Sequence, residues 1–378
     1  MIEIKKVESK RELKRFMQFR YDLYRDDPND VPYFWLDEEG TLRPDKNASF
    51  EDCEAVYYKA FRGERVVGRI AGIINHKANR YWNAEVVRFG WFDFVDDYEV
   101  SHKLLEEVRQ WGKSKGMVQM VGPMGFSDTD REGMLVSGFD TLGTMYAYHN
   151  YAYYPKHIES FGGFEKDNDY VQFLVKVPTV VPDRFAKVAA MVKERYHLQV
   201  RHLTRKQLIR EGYGREVFRL LNATYKNLYG FAELSERKVD QLVEQYIKIA
   251  DINLVCTVYD EKAGKMVGFA VTFPSISEAL RKTHDGKLLP FGWWHLVKAI
   301  YWKHADTVDM LLIGVLPEYR SKGANALIFN ELVQQYQRYG FKWAQSMPMM
   351  ETNNHILSNW DYFEATENKR LRCYRRPI

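Results

Sequence analysis

Residues 311–326 read Leu311-Leu312-Ile313-Gly314-Val315-Leu316-Pro317-Glu318-Tyr319-Arg320-Ser321-Lys322-Gly323-Ala324-Asn325-Ala326. An apolar strand enters a short polar loop, and a helix leaves it, running Asn325–Tyr339 with Gly340 as its stop. The first amides of such a helix lack intrahelical acceptors, and the helix dipole adds partial positive charge. A diphosphate satisfies both. Gly323 lets the backbone come close, and Arg320 and Lys322 bring charge. With no ligand, the same residues still make a tight strand-to-helix turn.

Before this stretch lies a hairpin, Asn253–Tyr259 to Met266–Phe273, then an insertion, Ile276–His304. After it come a strand at Lys342–Met347, a short helix near Ile356–Tyr362 and a strand near Leu371–Arg375. A strand at Gln199–Leu203 and helical stretches at Lys206–Tyr229 and Glu236–Ile249 complete this half. The other half has the same order of elements. Ile2–Val7 is a strand, and Ser9 with Glu12 forms a capping box for a helix that stops at Asp27-Pro28. Asn29–Asp52 reads as a surface loop. A hairpin (Ala55–Ala60, Val66–Ile74), a strand (Val87–Val95), a helix (Tyr98–Lys115) and a strand (Met117–Val121) follow. A Gly- and Asp-rich loop, a short helix at Tyr153–Phe161 and a strand at Tyr170–Val177 end it. Pro178 and Pro182 bracket the seam, so the expected units are 1–178 and 179–378. The expected class is α/β: two repeats, each a mixed, mostly antiparallel sheet flanked by helices.

The 378 residues are 46% hydrophobic and 28% charged, an ordinary globular mix that excludes a disordered or collagen-like chain. Three scattered cysteines and no Cys/His cluster point away from zinc and toward a reducing, cytoplasmic setting. The apolar runs are strand-sized, and the N-terminus lacks a signal-peptide core. Residues 1–178 hold 25 Lys+Arg and 30 Asp+Glu, net −5; the remainder holds 55 − 25 = 30 and 51 − 30 = 21, net +9. A positive second half suits an anionic partner.

The 311–326 stretch resembles the acyl-CoA-binding motif of the GNAT superfamily of N-acetyltransferases through Val315, Pro317, Tyr319, Arg320 and Gly323, while Asn325 stands where that family prefers glycine or alanine. The resemblance implies acetyl-CoA or another acyl-CoA as co-substrate, with no metal. It places pantetheine along Ile313, Gly314 and Val315, and phosphate at Arg320, Ser321, Lys322, Gly323, Ala324, Asn325 and Ala326. Glu351-Thr352-Asn353 resembles the family's later segment, where a tyrosine seven positions after the asparagine protonates the departing thiolate. Here that position holds Trp360, whose indole is no acid at neutral pH, and Tyr362 is the nearest substitute. Glu351 is the expected base for an amine acceptor, ahead of Asp309. The reaction implied is direct acyl transfer to a small-molecule or lipid amine. A non-catalytic binding protein and an aminoacyl-tRNA-dependent transferase are the alternatives, although no RNA-recognition motif is present.

In the first half, Asp96, Asp97 and Glu99 occupy the place of phosphate donors, so this repeat reads as degenerate and as shaping the acceptor cleft. The loop Gly122–Asp140, with Tyr153-Tyr154-Pro155 and Phe161–Phe164, resembles poorly characterised tandem acetyltransferase-like bacterial proteins. Asp128 and Asp130 read as Asx-type turn residues. The Trp-rich insertion reads as a helix packed across the repeats, as a lid, or as a helix in a membrane interface. The alternation of basic and apolar residues in 369–376 suits an edge strand.

Overall fold

Short hairpins and two strand–helix–strand crossovers build one long sheet in the computed structural model, which describes residues 1–247, 250–302 and 304–378 and omits the side chains of 246 and 247. Ile249 and Lys303, which sequence reading assigns to a helix and to the insertion, lie outside the described residues. The strands are β1 (Ile2–Lys6), β2 (Cys53–Arg62), β3 (Arg65–Asn75), β4 (Val86–Phe94), β5 (Gln119–Gly122), β6 (Met134–Ser137) and β7 (Glu165–Lys176). They continue with β8 (Leu198–Arg201), β9 (Val255–Asp260), β10 (Lys265–Pro274), β11 (Thr307–Val315), β12 (Trp343–Ser346), β13 (Met349–Met350) and β14 (Ala365–Pro377).

The sheet order is β1-β2-β3-β4-β5-β14-β7-β12-β11-β10-β9-β8, with β6 beside β14 and β13 beside β7. Read from either end toward the β14–β7 pair, the two halves have the same layout. Neighbours along this path are antiparallel except β4–β5 and β11–β12, which are parallel across their helical crossovers. Each half lends its last strand to the other: β7 lies against β12, and β14 lies against β5. The C-terminal strand is therefore central, not at an edge. Its basic residues meet acids of β7 across the pair, with Arg372 Nε donating to Asp169 Oδ1 at 2.7 Å and Arg375 Nε to Glu165 Oε1 at 2.8 Å. Its apolar alternates, Leu371 and Cys373, are fully buried.

Both parallel pairs are short. β4 and β5 pair over Val86–Arg88 and Gln119–Val121 only. β11 and β12 pair over Thr307–Met310 and Trp343–Ser346 only. Beyond those points the strands diverge, and the rest of β4 and of β11 has one edge with no strand beside it. The expected surface loop Asn29–Asp52 instead contains a helix, Trp35–Leu42, with Glu38 and Leu42 buried. Its Asp-Glu-Glu-Gly run carries no clear apolar period, because what Glu38 finds inside is an ion pair with Arg69 at 3.0 Å.

Candidate functional site

The two diverging strand pairs are handled differently. In the second half, antiparallel alternation turns the N–H and C=O groups of Ile313 and Val315 away from β10, since Leu316 N–H donates inward to Val267 O. The Ile313 carbonyl accepts from Tyr225 Oη at 3.1 Å, and the Val315 carbonyl from Arg320 Nε at 3.1 Å. Arg320 also donates to Thr224 O at 3.2 Å, so one guanidinium ties the end of β11 to the helix Tyr213–Tyr225.

The helix Ala324–Tyr339 starts at Gly323, which has φ +85° and supplies no side-chain cap. A β-carbon there would meet Val188 at 2.8 Å and Val192 at 2.9 Å, so the glycine also serves packing against the helix Asp183–Tyr196. Ala326 N–H turns back to Gly323 O at 2.9 Å. Ala324 and Asn325 are the first two positions of this uncapped helix, where amides have no intrahelical acceptor.

A cavity of about 700 Å³ opens beside this edge. Leu311–Val315, Pro317, Arg320, Asn325, Phe329, Met347–Met350, Asn353, Ile356 and Trp360 line one end. The cavity then passes the segment Leu221–Tyr229 and continues into the first half. There it meets Asp37, Trp91, Asp128–Glu132, Met145 and Tyr170. Most of its wall is apolar, as befits a site for an organic ligand with a few placed polar groups.

The polar groups concentrate at the first-half end. Burial pushes the Glu132 carboxyl up to about 8, against the neighbouring Tyr170 phenol and with the help of the Asp128 charge. Burial likewise lifts Asp128 to about 7 against the opposing pull of Arg88. Asp128 Oδ1, Glu132 Oε1 and Trp91 Nε1 are buried from bulk solvent and have no hydrogen-bond partner. Asp130 is different: it accepts from the N–H groups of Phe126 (2.9 Å) and Ser127 (3.1 Å), the expected Asx-type closure. Tyr225 connects the two ends, for its hydroxyl reaches Ile313 O while the Asp128 charge helps raise its pKa, after burial and against that hydrogen bond, to about 12.

The residues expected from sequence divide accordingly. Ile313, Gly314, Val315, Arg320, Asn325 and Asn353 line the cavity; Ser321, Lys322, Gly323, Ala324 and Ala326 lie behind its wall, with Lys322 Nζ 4.1 Å from the Tyr319 ring. Glu351 lies outside the cavity lining, between Lys166 and Arg370, with the Arg370 contact at 2.8 Å. Tyr362 also lies outside, its hydroxyl taken by Arg184 and its ring under that guanidinium. Asp309 is no solvated strand end. It is buried near Ser275, and burial raises it to about 7. Glu132, Tyr170, Trp91 and Tyr225 escape sequence reading. The usable signal was three carboxylates in Asp128-Thr129-Asp130-Arg131-Glu132 within an otherwise apolar, Gly-bounded loop.

In the first half, the free edge of β4 is filled by protein. Met124 N–H donates to Phe89 O at 2.8 Å, Trp91 N–H to Tyr148 Oη at 3.2 Å and Phe94 N–H to Tyr154 Oη at 3.2 Å; Tyr153 Oη donates to Phe94 O at 2.5 Å. The following helix, Tyr98–Ser114, is capped by Asp97, whose side chain accepts from Glu99 N–H at 2.8 Å. Asp96 pairs with His157 at 2.9 Å.

No family model matches the chain. A bacterial ceramide synthase of Caulobacter vibrioides is 25% identical over 393 aligned positions, spanning 98% of this chain and 96% of that protein. Protein YghO of Escherichia coli is 24% identical over 375, spanning 98% and 94%. Among solved structures, a tandem GNAT protein from the clavulanic acid biosynthesis pathway superposes with TM-score 0.56 over 100% of this chain and 98% of its own, at 11% identity. A GCN5-related N-acetyltransferase from Sphaerobacter thermophilus gives 0.51 over 100% and 95%, also at 11%. The fold is α/β, two GNAT-like repeats in tandem.

Proposed function

We propose, from the premise of a tandem GNAT fold with one repeat open and one filled, that the protein is an acyltransferase that moves an acyl group from acyl-CoA to an amine. One observation carries this reading: the free edge of β11 opens into a cavity that continues to the acids of the first half. The Ile313 and Val315 N–H groups suit the amide-bearing pantetheine arm, and the uncapped start of the helix, with Asn325 and Arg320 on the cavity wall, suits the diphosphate. These residues fit the co-substrate without a metal. Asn325 puts an amide side chain on the wall where the family has a smaller residue, which adds a hydrogen-bonding group to that end of the cavity. The thioester then faces Leu311, whose strand N–H points away from β10 like that of Ile313 and is placed to stabilise the oxyanion.

A lipid amine is the acceptor we favour. A full-length relative is named a ceramide synthase. The cavity walls are mostly apolar, and the helix Gly292–Tyr301 with its two flanking residues displays aromatic side chains to solvent: Phe291 before it is 74% exposed, Trp294 within it 44% and Trp302 after it 65%. Its buried face, Leu296, packs with Val31 of the first half, as expected of a helix packed across the repeats. Lys298 and the exposed Trp side chains suit the headgroup layer of a bilayer. No described helix is long and apolar enough to cross one. Acyl-CoA as donor, with three free buried cysteines, fits a cytoplasmic protein.

The test is thiol release from a panel of acyl-CoAs mixed with amines, long-chain ones included. Turnover is expected with wild type. Arg320→Ala is expected to lose about 10–100-fold in donor affinity, as a charged hydrogen-bonding group that also orders two carbonyls is removed. Absence of acyl-CoA binding for every chain length would leave only a binding protein of this fold.

A further inference from the structure

The acids at the first-half end of the cavity have no structural task. Buried carboxyls are normally matched by a cation or by several N–H donors. Asp130 is matched in this way, and so is Glu38, by Arg69 and the Tyr21 hydroxyl. Asp128 and Glu132 each keep an oxygen without a partner, and both line the cavity. The Arg88 guanidinium, whose charge acts on both acids, spends its donors on the carbonyls of Gly125 (3.3 Å), Phe126 (3.4 Å) and Gly230 (3.2 Å). Trp91 is 3% exposed and its indole N–H has no partner, while the Tyr170 phenol, 4% exposed, neighbours Glu132; both residues line the same cavity. Arg131 and Lys238 share this wall but are engaged elsewhere: Arg131 stacks 3.2 Å from the Tyr33 ring centroid and donates to Met145 O at 3.0 Å, and Lys238 donates to Asn47 Oδ1 at 3.4 Å. Two cavity carboxyls that no cation pairs directly are complementary to a cationic ligand.

We propose that Glu132 and Asp128 of the first half hold the ammonium group of the acceptor, and that Glu132 takes the proton that must leave before the amine attacks the thioester beside β11. This rests on the acyl-transfer reading of the same cavity. The acceptor is then a primary amine with an alkyl chain: its head lies among Glu132, Asp128 and Tyr170, and its chain along apolar wall residues such as Met145, Phe218 and Leu242.

The step balances. The ammonium gives one proton to the Glu132 carboxylate. The freed lone pair forms a C–N bond to the thioester carbon, and the carbonyl pair moves to oxygen. When the adduct collapses, the C–S bond breaks, the thiolate leaves with its pair and takes the second nitrogen proton. Acyl-CoA and an ammonium become an amide, CoA thiol and one proton, which Glu132 sheds to water.

The groups facing Glu132 define its titration. They are Asp128 and Asp130 on its own loop, Arg88 on β4, Tyr170 on β7 and Cys373 on β14; Lys238 and Tyr225 act on Asp128. At pH 7 the empty site retains protons on this acid pair. An ammonium favours the ionised forms, so binding it expels a proton.

Calorimetry with decylamine and 1-decanol, with no acyl donor present, tests this separately from turnover. Runs at pH 7 in phosphate and in Tris, whose ionisation heats differ, count protons. Wild type is expected to prefer the amine by at least about 10-fold, the worth of one charge-assisted contact, and to release up to one proton per amine. Glu132→Gln and Asp128→Asn should each weaken amine binding about 10-fold, with decanol unchanged; Glu132→Gln should also abolish most of the proton release. Either variant carries the test if the other does not fold. Equal binding of amine and alcohol, or proton release unchanged in both variants, overturns the assignment. Such a result leaves the acyl-CoA thiol-release assay untouched, so the two readings fail independently.

Discussion

β4 and β11 are equivalent strands with opposite fates. Each leaves its parallel partner after a few residues and exposes an edge of unpaired amides. Along β4 the chain repairs this itself, with Tyr148, Tyr153, Tyr154 and the Met124 amide bonded to that edge. Along β11 two carbonyls are satisfied by Tyr225 and Arg320, and the space beyond remains a cavity. The next helix repeats the contrast. Asp97 caps the first-half helix, and the second-half helix begins on an uncapped Gly323. Duplication therefore yields a filled repeat that can spend its acids on the other repeat's cavity.

The contrast breaks most visibly at Tyr154. This side chain is 1% exposed, packs 4.3 Å from the Phe94 ring centroid, accepts from Phe94 N–H and shares a 2.7 Å hydrogen bond with Tyr24. Tyr154→Ala removes a filled volume and leaves polar groups unmatched, so about 3–5 kcal/mol of stability should be lost in denaturant titrations. A second equivalent of CoA should not bind, because Asp96 and Asp97 remain where phosphate would need donors. Two bound equivalents would mean that only the plug distinguishes the repeats.

A subtler probe is pH. Burial holds the folded Glu132 carboxyl up to about 8, against about 4.5 for the free side chain. Raised pKa means that the folded state keeps a proton the unfolded state has lost. The stability tied to it is fully present below about 4.5 and declines as pH rises to about 8. Glu132→Gln cannot ionise, so its melting temperature should match wild type near pH 4.5 and exceed it at pH 9. In a chain of this size each 1 kcal/mol is worth only about 1–2 °C in the melting temperature. A gap independent of pH would show that the carboxyl is already paired, and the acidic end of the cavity would lose its distinction from an ordinary ion pair.

Sequence reading reached the fold through local signals. The hairpins, the helix start capped by Ser9 and the strand–loop–helix at 311–326 are all contiguous, and each appears near its expected place, although Glu12 takes the Glu8 N–H and so does not close a full capping box. Strand exchange was illegible, since basic–apolar alternation in β14 describes an exposed edge and a central strand facing acids equally well. The β11 end of the cavity was legible because one backbone stretch builds it. The other end depends on residues far apart in the chain, Trp91, Glu132, Tyr170 and Tyr225, that meet only when the halves share a sheet. The helix Trp35–Leu42 was missed because its inward Glu38 looks solvent-seeking until Arg69 is placed beside it.

Glu351 gives the smallest effect and the sharpest check on where the base belongs. By sequence it follows the strand next to the cleft, and an amine-activating carboxylate is expected there. In the fold its backbone N–H donates to Asp169 O at 2.9 Å, and its carboxylate bridges Lys166 and Arg370 at the junction of the exchanged strands. The three side chains are 42%, 29% and 29% exposed, so water screens the pairs. Exposed ion pairs of this kind contribute about 0–1 kcal/mol. Glu351→Gln should therefore shift the denaturation midpoint by no more than that and change acyl-transfer kcat by less than about 2-fold, with no change in the pH profile. Loss of turnover with an intact fold would return the base to the second half and reduce Glu132 to a buried acid beside the cavity. An unaffected Glu351→Gln, set against a disabled Glu132→Gln, would mean that the filled repeat supplies the proton acceptor for the open one.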